Sequence, residues 1–366
     1  MINNWPTWLP IRDDLSDLSP YGAPQIAGLV QLNTNENPFM LPVAVSTAIS
    51  QRISEIVATL NRYPDRDASV LRSKLASYVN GLSGTAIDAS NVWVANGSNE
   101  ILQTIFLACG GAGRTALGFT PSYSVHPLVA KITGTTWISG MRDAEFAIDI
   151  PAALKQILEV RPSMIFVTTP NNPSGTSTPI ADIEEIARVA VEIRALLIVD
   201  EAYIEFSDEK SAITLLSKFP NLVITRTMSK AFAFAGARVG YFIGHPNLVD
   251  AALITRLPYH LSTLTQAAAE VAVEHAELMQ QGIQSIIRER ARVEFGLRAV
   301  GWFALPSSAN FLMFAGFDDE SKNLWQKFLD RGVLIRDIGI AGFLRVTIGT
   351  ESENDRFLAV MQELAS

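Results

Sequence analysis

The stretch Leu222–Gly240 reads LVITRTMSKAFAFAGARVG. An apolar, β-branched run with strand character ends in Thr227, Met228, Ser229 and Lys230. A small apolar stretch follows, and then Arg238. Open α/β sheets bind ligands just beyond the carboxyl ends of their strands, so the residues after this run are candidates for a site. Burial disfavours an ammonium and makes a lysine a better nucleophile toward carbonyls. Two hydroxyls and a guanidinium suit a phosphate. Taken alone, Lys230 reads first as a solvated helix lysine.

Six more short apolar runs have the same character: 91–96, 114–119, 135–140, 163–169, 195–200 and 238–243. Helical periodicities, such as those over 100–109 and 180–194, lie between several of them. Strands alternating with helices predict an α/β fold with a large, mostly parallel sheet covered by helices on both faces. After Pro258 the pattern changes. Residues 265–300 read as one long helix or a bent pair, and strand candidates 309–316 and 342–349 bracket a helical 321–332. This predicts a smaller α+β domain. The expected division is 31–257 for the large domain and 1–30 plus 258–366 for the smaller one. The Pro-rich first thirty residues are expected to drape over the smaller part.

With 366 residues the chain exceeds the roughly 250–300 at which one core stops growing. Lys and Arg total 29 against 37 Asp and Glu, a net charge of −8, which argues against a nucleic-acid or membrane surface. The single cysteine, Cys109, rules out an internal disulfide framework and a thiolate zinc cluster, and its apolar surroundings predict a buried filler. The four histidines show no metal spacing, and no metal site is expected. No signal peptide and no apolar run of about 18 residues is seen, so a cytoplasmic protein is expected.

Each strand end carries a candidate. Asn96 and Ser98, in NGSNE, can cap a helix whose N-terminus attracts anions. Tyr123, in TPSYSVHP, can stack on a planar ring or serve packing. Asn172 presents an amide from the PNNPSG turn. Asp200 ends a very apolar strand, where a carboxylate needs a donor or else serves as a cap, and Tyr203 follows it. Together these residues ask for one ligand that is planar, aromatic and phosphorylated, with an aldehyde for Lys230 and a basic ring nitrogen for Asp200. Pyridoxal 5′-phosphate fits. The absence of G-x-G-x-x-G argues against a dinucleotide.

NGSNE, PSYSVHP, TPNNPSG, VDEAY and TMSKAFAFAGARVG together resemble the fold-type I pyridoxal-phosphate-dependent aminotransferases. SPYGAPQ, LNTNENP, LNRYPDRD and GVLIRDIGIAGFLRVTIGT make the chain similar, from Tyr21 to Thr350, to the histidinol-phosphate aminotransferase family in its actinobacterial form. The resemblance implies that Lys230 carries the cofactor and acts as general base. It implies that Asp200 pairs with the ring nitrogen, that Asn172 and Tyr203 bond the ring hydroxyl, and that Tyr123 stacks on the ring. Ser98, Asn99, Thr227, Ser229 and Arg238 would surround the cofactor phosphate, with Tyr63 reaching it from a second subunit. Tyr21, Asn37, Arg336 and Arg345 would face the substrate, although Arg336 also reads as a surface salt-bridge residue. The implied reaction is ping-pong exchange of an amino group between L-histidinol phosphate and 2-oxoglutarate, giving imidazole acetol phosphate and L-glutamate. The implied assembly is a homodimer with shared active sites. An aromatic amino acid aminotransferase on the same frame is the alternative.

Overall fold

The computed structural model of the chain describes residues 5–16, 18–20 and 22–365. The N-terminal half runs β1 (Val30–Gln31), α1 (Val43–Ile56), α2 (Ser69–Ser83), β2 (Val92–Ala95), α3 (Ser98–Cys109), β3 (Thr115–Thr120), α4 (Val125–Ile132) and β4 (Thr136–Met141). It continues with α5 (Ile150–Val160), β5 (Met164–Thr168), α6 (Ile180–Ile193), β6 (Leu196–Asp200), β7 (Leu222–Thr227) and β8 (Gly240–Ile243). The remainder is α7 (Pro246–Thr255), α8 (Thr263–Glu274), α9 (Gln280–Ala299), β9 (Phe303–Ala304), β10 (Phe311–Ala315), α10 (Ser321–Asp330), β11 (Val333–Leu334), β12 (Arg336–Asp337), β13 (Leu344–Thr347) and α11 (Glu351–Ala365).

Seven strands form the large sheet in the order β2-β8-β7-β6-β5-β3-β4. All seven expected runs are strands of it. The pairs from β4 through β7 are parallel, and β8 runs antiparallel to both β7 and β2. Strands β5 and β7 are buried along their whole length, and β6 is buried from Leu197 onward. That burial is why they read as continuous apolar runs rather than alternating ones, as sheets covered on both faces require.

The antiparallel strand β8 decides where the ligand end of the sheet lies. Gly240 is in register with Thr227 on one side and Ala95 on the other. The turn after β2 therefore sits beside the turn after β7. A Cβ on Gly240 would lie 2.3 Å from Ser98 N and 2.4 Å from Gly97 C, so glycine is what lets the start of α3 close down on the sheet.

The C-terminal part holds a four-stranded antiparallel sheet, β12-β13-β10-β9. The 265–300 periodicity resolves as the bent pair, α8 and α9 separated by a 3₁₀ turn at Ala276–Met279. Strands β1, β9, β11 and β12 have two residues each, too short to show a period of two, and went unread. Cys109 is only partly buried, packed at the edge of the cluster around Trp93 and Phe106. The N-terminal arm departs from expectation. Arg12 donates to the carbonyls of Ile132 at 2.9 Å and Lys131 at 3.4 Å, tying the arm to the end of α4 rather than draping it over the smaller sheet. Farther along, β1 pairs in parallel with β11 as a separate two-stranded sheet.

Gly240→Ala is expected to lower stability by about 1–3 kcal/mol, because neither contacting atom is a flexible side-chain end. Thermal melting read beside the parent chain checks this; an unchanged midpoint would show that α3 can lift without cost.

Candidate active site

The carboxyl ends of β3, β5, β6 and β7, the start of α3, the segment 33–36 and the smaller sheet meet around a cavity of about 430 Å³. Its wall includes Ser98, Asn99, Tyr123, Asn172, Asp200, Tyr203, Thr227, Ser229, Lys230, Arg238, Arg336 and Arg345. Residues scattered over some 250 positions of sequence are thus brought to one place by strand ends.

Asp200 is 3% exposed at the end of β6. Its Oδ2 meets His126 Nε2 at 3.1 Å, while Oδ1 is buried without a partner among the described residues. A buried carboxylate oxygen without a donor is costly, so Oδ1 fits a ring N–H brought by a ligand. His126 is itself 1% exposed, packed edge-on to Tyr123 at 5.5 Å and tilted against Phe166 at 5.1 Å.

Lys230 Nζ donates to the Thr34 carbonyl at 3.3 Å and lies 5.9 Å from the centre of the Tyr203 ring. Burial, reinforced by the positive charge of Arg345, lowers its pKa from 10.5 to about 8, with Glu36 opposing and Arg238 adding to the fall. The amine is therefore partly neutral near neutral pH, which a nucleophile toward an aldehyde requires.

The hydroxyls and cation form a separate corner. Thr227 Oγ1 donates to Ser229 Oγ at 3.0 Å, and Arg238 Nη1 donates to Ser229 Oγ at 3.4 Å. Arg238 adopts φ +57°, a left-handed backbone uncommon away from glycine and frequent at functional sites. Gly97, at φ +82°, caps α3 with no side-chain bond, and a Cβ there would lie 2.3 Å from Arg238 Nη2. Neither Asn96 nor Ser98 is the cap. Asn96 donates its amide to His260 O at 2.8 Å, and Ser98 is the first residue of the helix. A helix N-terminus without a side-chain cap, facing a guanidinium and hydroxyls, is an anion cradle.

Tyr203 Oη accepts from Asn35 Nδ2 at 3.0 Å and Asn172 Nδ2 at 3.4 Å. Tyr123 Oη donates to Asn99 Oδ1 at 3.1 Å. Arg345 donates through Nη1 to Asn172 Oδ1 at 2.6 Å and through Nη2 to the Asn33 carbonyl at 2.9 Å, with its guanidinium 5.1 Å from the Phe311 ring centre. Arg336 stands directly opposite Arg345 in the β12–β13 register. Like charges paired this way repel unless an anion lies between or beside them. Among the described residues Arg336 makes no salt bridge, so the surface-pair reading gives way to a place in the cavity wall.

Two expected residues lie elsewhere. Asn37 turns its amide onto the carbonyls of Lys230 at 3.0 Å and Ala231 at 3.4 Å, behind the lysine rather than in the wall. Tyr63 is 79% exposed and stacks on Tyr259 at 4.3 Å, outside the cavity of its own chain. Tyr21 lies outside the described residues. The sequence reading missed His126, Asn33 and Asn35. His126 stood inside the quoted PSYSVHP motif, and the two asparagines were visible only as part of LNTNENP. Among the described residues no group of three His, Cys, Asp or Glu side chains is placed to hold a metal ion.

The family model for aminotransferase class I and II matches residues 27–361. A histidinol-phosphate aminotransferase of Mycolicibacterium smegmatis is 50% identical over 358 residues, 98% of this chain and 94% of that protein. One of Nocardia farcinica is 50% identical over 359 residues, 98% of this chain and 92% of that protein. Among solved structures, the histidinol-phosphate aminotransferase of Clostridium acetobutylicum superposes with a TM-score of 0.83 at 23% identity, covering 92% of this chain and 99% of that one. The aspartate aminotransferase of Thermus thermophilus with maleate gives 0.79 at 23% identity, covering 91% of each. At these identities the two structures speak for the fold alone, and that fold is the fold-type I arrangement expected.

Capture of pyridoxal 5′-phosphate by the cofactor-free chain is expected to quicken as pH rises through about 8, where Lys230 loses its proton. Stopped-flow absorbance between pH 6 and 10 reads this, and Lys230→Ala is expected to remove the signal. A midpoint near the ordinary lysine value would contradict the lowered pKa.

Proposed function

The chain belongs to the class I and II aminotransferases, and on that premise we propose that it exchanges an amino group between L-histidinol phosphate and 2-oxoglutarate, giving imidazole acetol phosphate and L-glutamate. Beyond the relatives, the observation that carries the substrate is the cross-strand pair Arg336 and Arg345 in the cavity wall. The enzyme must accept an α-carboxylate from one partner and a phosphate ester from the other. A planar guanidinium serves either, and a second cation beside it rewards the extra charge of a phosphate.

The donor set fits pyridoxal 5′-phosphate, which when bound supplies an aldehyde to carry the amino group and a ring that accepts electrons. Asp200 Oδ1, otherwise without a donor among the described residues, would accept the ring N–H, and His126 holds the carboxylate in that orientation. Ser98, Asn99, Thr227, Ser229 and Arg238 would hold the phosphate at the start of α3. Tyr203, steered by Asn35 and Asn172, would bond the ring hydroxyl, and Tyr123 would face the ring. Lys230 would carry the cofactor at rest. Its amine, near pH 8 in pKa, suits taking up and returning a proton at the substrate Cα. Arg345, held by Asn172 and Asn33, would fix the substrate anion in both half-reactions, with Arg336 selective for the phosphate.

We read the working form as a cytoplasmic homodimer. The described residues include no helix long and apolar enough to cross a membrane. Exposed Tyr63 and Tyr259, with Val57, Leu60 and Leu257, offer an apolar surface, and Tyr63 would complete the phosphate corner of the other subunit. A fully active monomer by sedimentation would contradict this assembly.

Arg336→Gln is expected to slow the half-reaction with L-histidinol phosphate by about 10–100-fold, the worth of one charge-assisted bond, and to change that with L-phenylalanine little. Single-turnover loss of the cofactor's visible absorbance measures both. Equal losses would assign Arg336 no part in substrate choice, and faster conversion of phenylalanine by the parent enzyme would overturn the substrate.

A further inference from the structure

Behind the sheet from the cavity lies an ion pair that the mechanism does not use. Glu201 follows Asp200 at the end of β6, and Arg226 precedes Thr227 at the end of β7. Successive side chains of a strand point to opposite faces. With Asp200 and Thr227 facing the cavity, Glu201 and Arg226 turn to the other side, where their side chains are 1% and 2% exposed.

Glu201 Oε2 accepts from Arg226 Nε at 3.1 Å and from Nη2 at 2.9 Å. Ser211 Oγ donates to both Glu201 oxygens, at 3.0 and 2.7 Å, and the Ala212 N–H donates to Oε1 at 2.7 Å. Arg226 Nη2 also reaches Ser211 Oγ at 2.9 Å. The Glu201 N–H donates to Thr225 O at 2.9 Å, continuing the β6–β7 ladder one step past the strand end. Three elements are thereby tied together at the point where the two strands release the chain into the site.

We propose that Glu201 and Arg226 are positioning residues, a buried clamp that fixes the ends of β6 and β7 and with them Asp200 and the hydroxyls of Thr227 and Ser229. This rests on the reading of the cavity as a pyridoxal-phosphate site. Arg226 Nη1 is buried without a hydrogen-bond partner among the described residues, and a buried ion pair is a poor source of net stability, because hydrophobic replacements of similar volume do as well or better. It is, however, a stiff and directional link. The carboxylate and the phosphate hydroxyls must be held at a fixed separation to grip two ends of one rigid ring. A misplacement of about 1 Å can cost on the order of a hundredfold in rate.

The test uses Glu201→Gln, Arg226→Lys and the milder Ser211→Ala, which removes one hydroxyl's bonds to both ends of the clamp. Leu297→Ala, a cavity variant in α9 remote from the site, serves as the stability control. Circular dichroism and thermal melting confirm folding. Pyridoxal 5′-phosphate affinity is read from absorbance and tryptophan quenching, and kcat and KM from the histidinol-phosphate reaction. The clamp predicts about tenfold or greater weakening of cofactor binding in the two ion-pair variants, with kcat lowered and substrate KM changed little. Ser211→Ala is expected to shift both in the same direction by about two- to fivefold. Leu297→Ala lowers the melting temperature and leaves cofactor affinity unchanged. Parent-like affinity in folded Ser211→Ala, Glu201→Gln and Arg226→Lys overturns the clamp while leaving the cofactor site intact. Equal weakening by Leu297→Ala reduces the pair to general stability and also overturns it. A parent chain that binds no pyridoxal 5′-phosphate fails earlier, at the reading of the cavity, and takes the clamp with it.

Discussion

Asp200 carries a carboxylate to the end of an apolar central strand, satisfies one oxygen with His126 and leaves the other buried without a donor among the described residues. Such a group is expensive unless a ligand completes it. Much of the site can be understood from that one constraint. Asp200 Oδ1 would accept a donor on a planar ring, and Lys230, the Tyr203 hydroxyl and the cradle at Gly97 and Arg238 would hold the ring's other substituents. The sheet topology makes this possible. Parallel β5, β6 and β7 deliver their carboxyl ends side by side, and antiparallel β8 brings the start of α3 next to the end of β7.

The electrostatics of the cavity run against the net charge of the chain. The molecule carries −8 overall, yet Lys230, Arg238, Arg336 and Arg345 line one cavity. Their mutual repulsion is visible in Lys230, whose pKa falls through burial and the nearby guanidinium of Arg345. The same crowding that makes the lysine nucleophilic also makes the cavity ready for anions. The substrate anion would be answered by Arg345 with Arg336 and the cofactor phosphate by Arg238, so binding the one need not displace the other.

Strand ends were the legible part of the sequence. Continuous apolar runs followed by Asn, Asp, Tyr or Ser-Lys marked both the large sheet and its functional edge, because parallel strands buried on both faces cannot hide a polar residue at random. The illegible part depended on tertiary pairing. Arg336 and Arg345 become neighbours only through the register of a two-residue strand. Asn35 reaches Tyr203 from a segment without regular structure, and His126 serves Asp200 across 74 positions of sequence. Asn37 shows the opposite failure. Its motif was read, but its amide bonds the Lys230 backbone, which no one-dimensional pattern distinguishes from facing a substrate. Glu201 and Arg226 were quoted within motifs and passed over, since alternation along a strand sends them away from the cavity.

The most direct measurement is to load the protein with pyridoxal 5′-phosphate, reduce it with borohydride and map the adduct by peptide mass spectrometry. The expected result is a stoichiometric pyridoxyl mass on the peptide containing Lys230 and on none of the other seven lysines. An adduct centred on another lysine, or none at all in a folded protein, would contradict the assignment of this cavity.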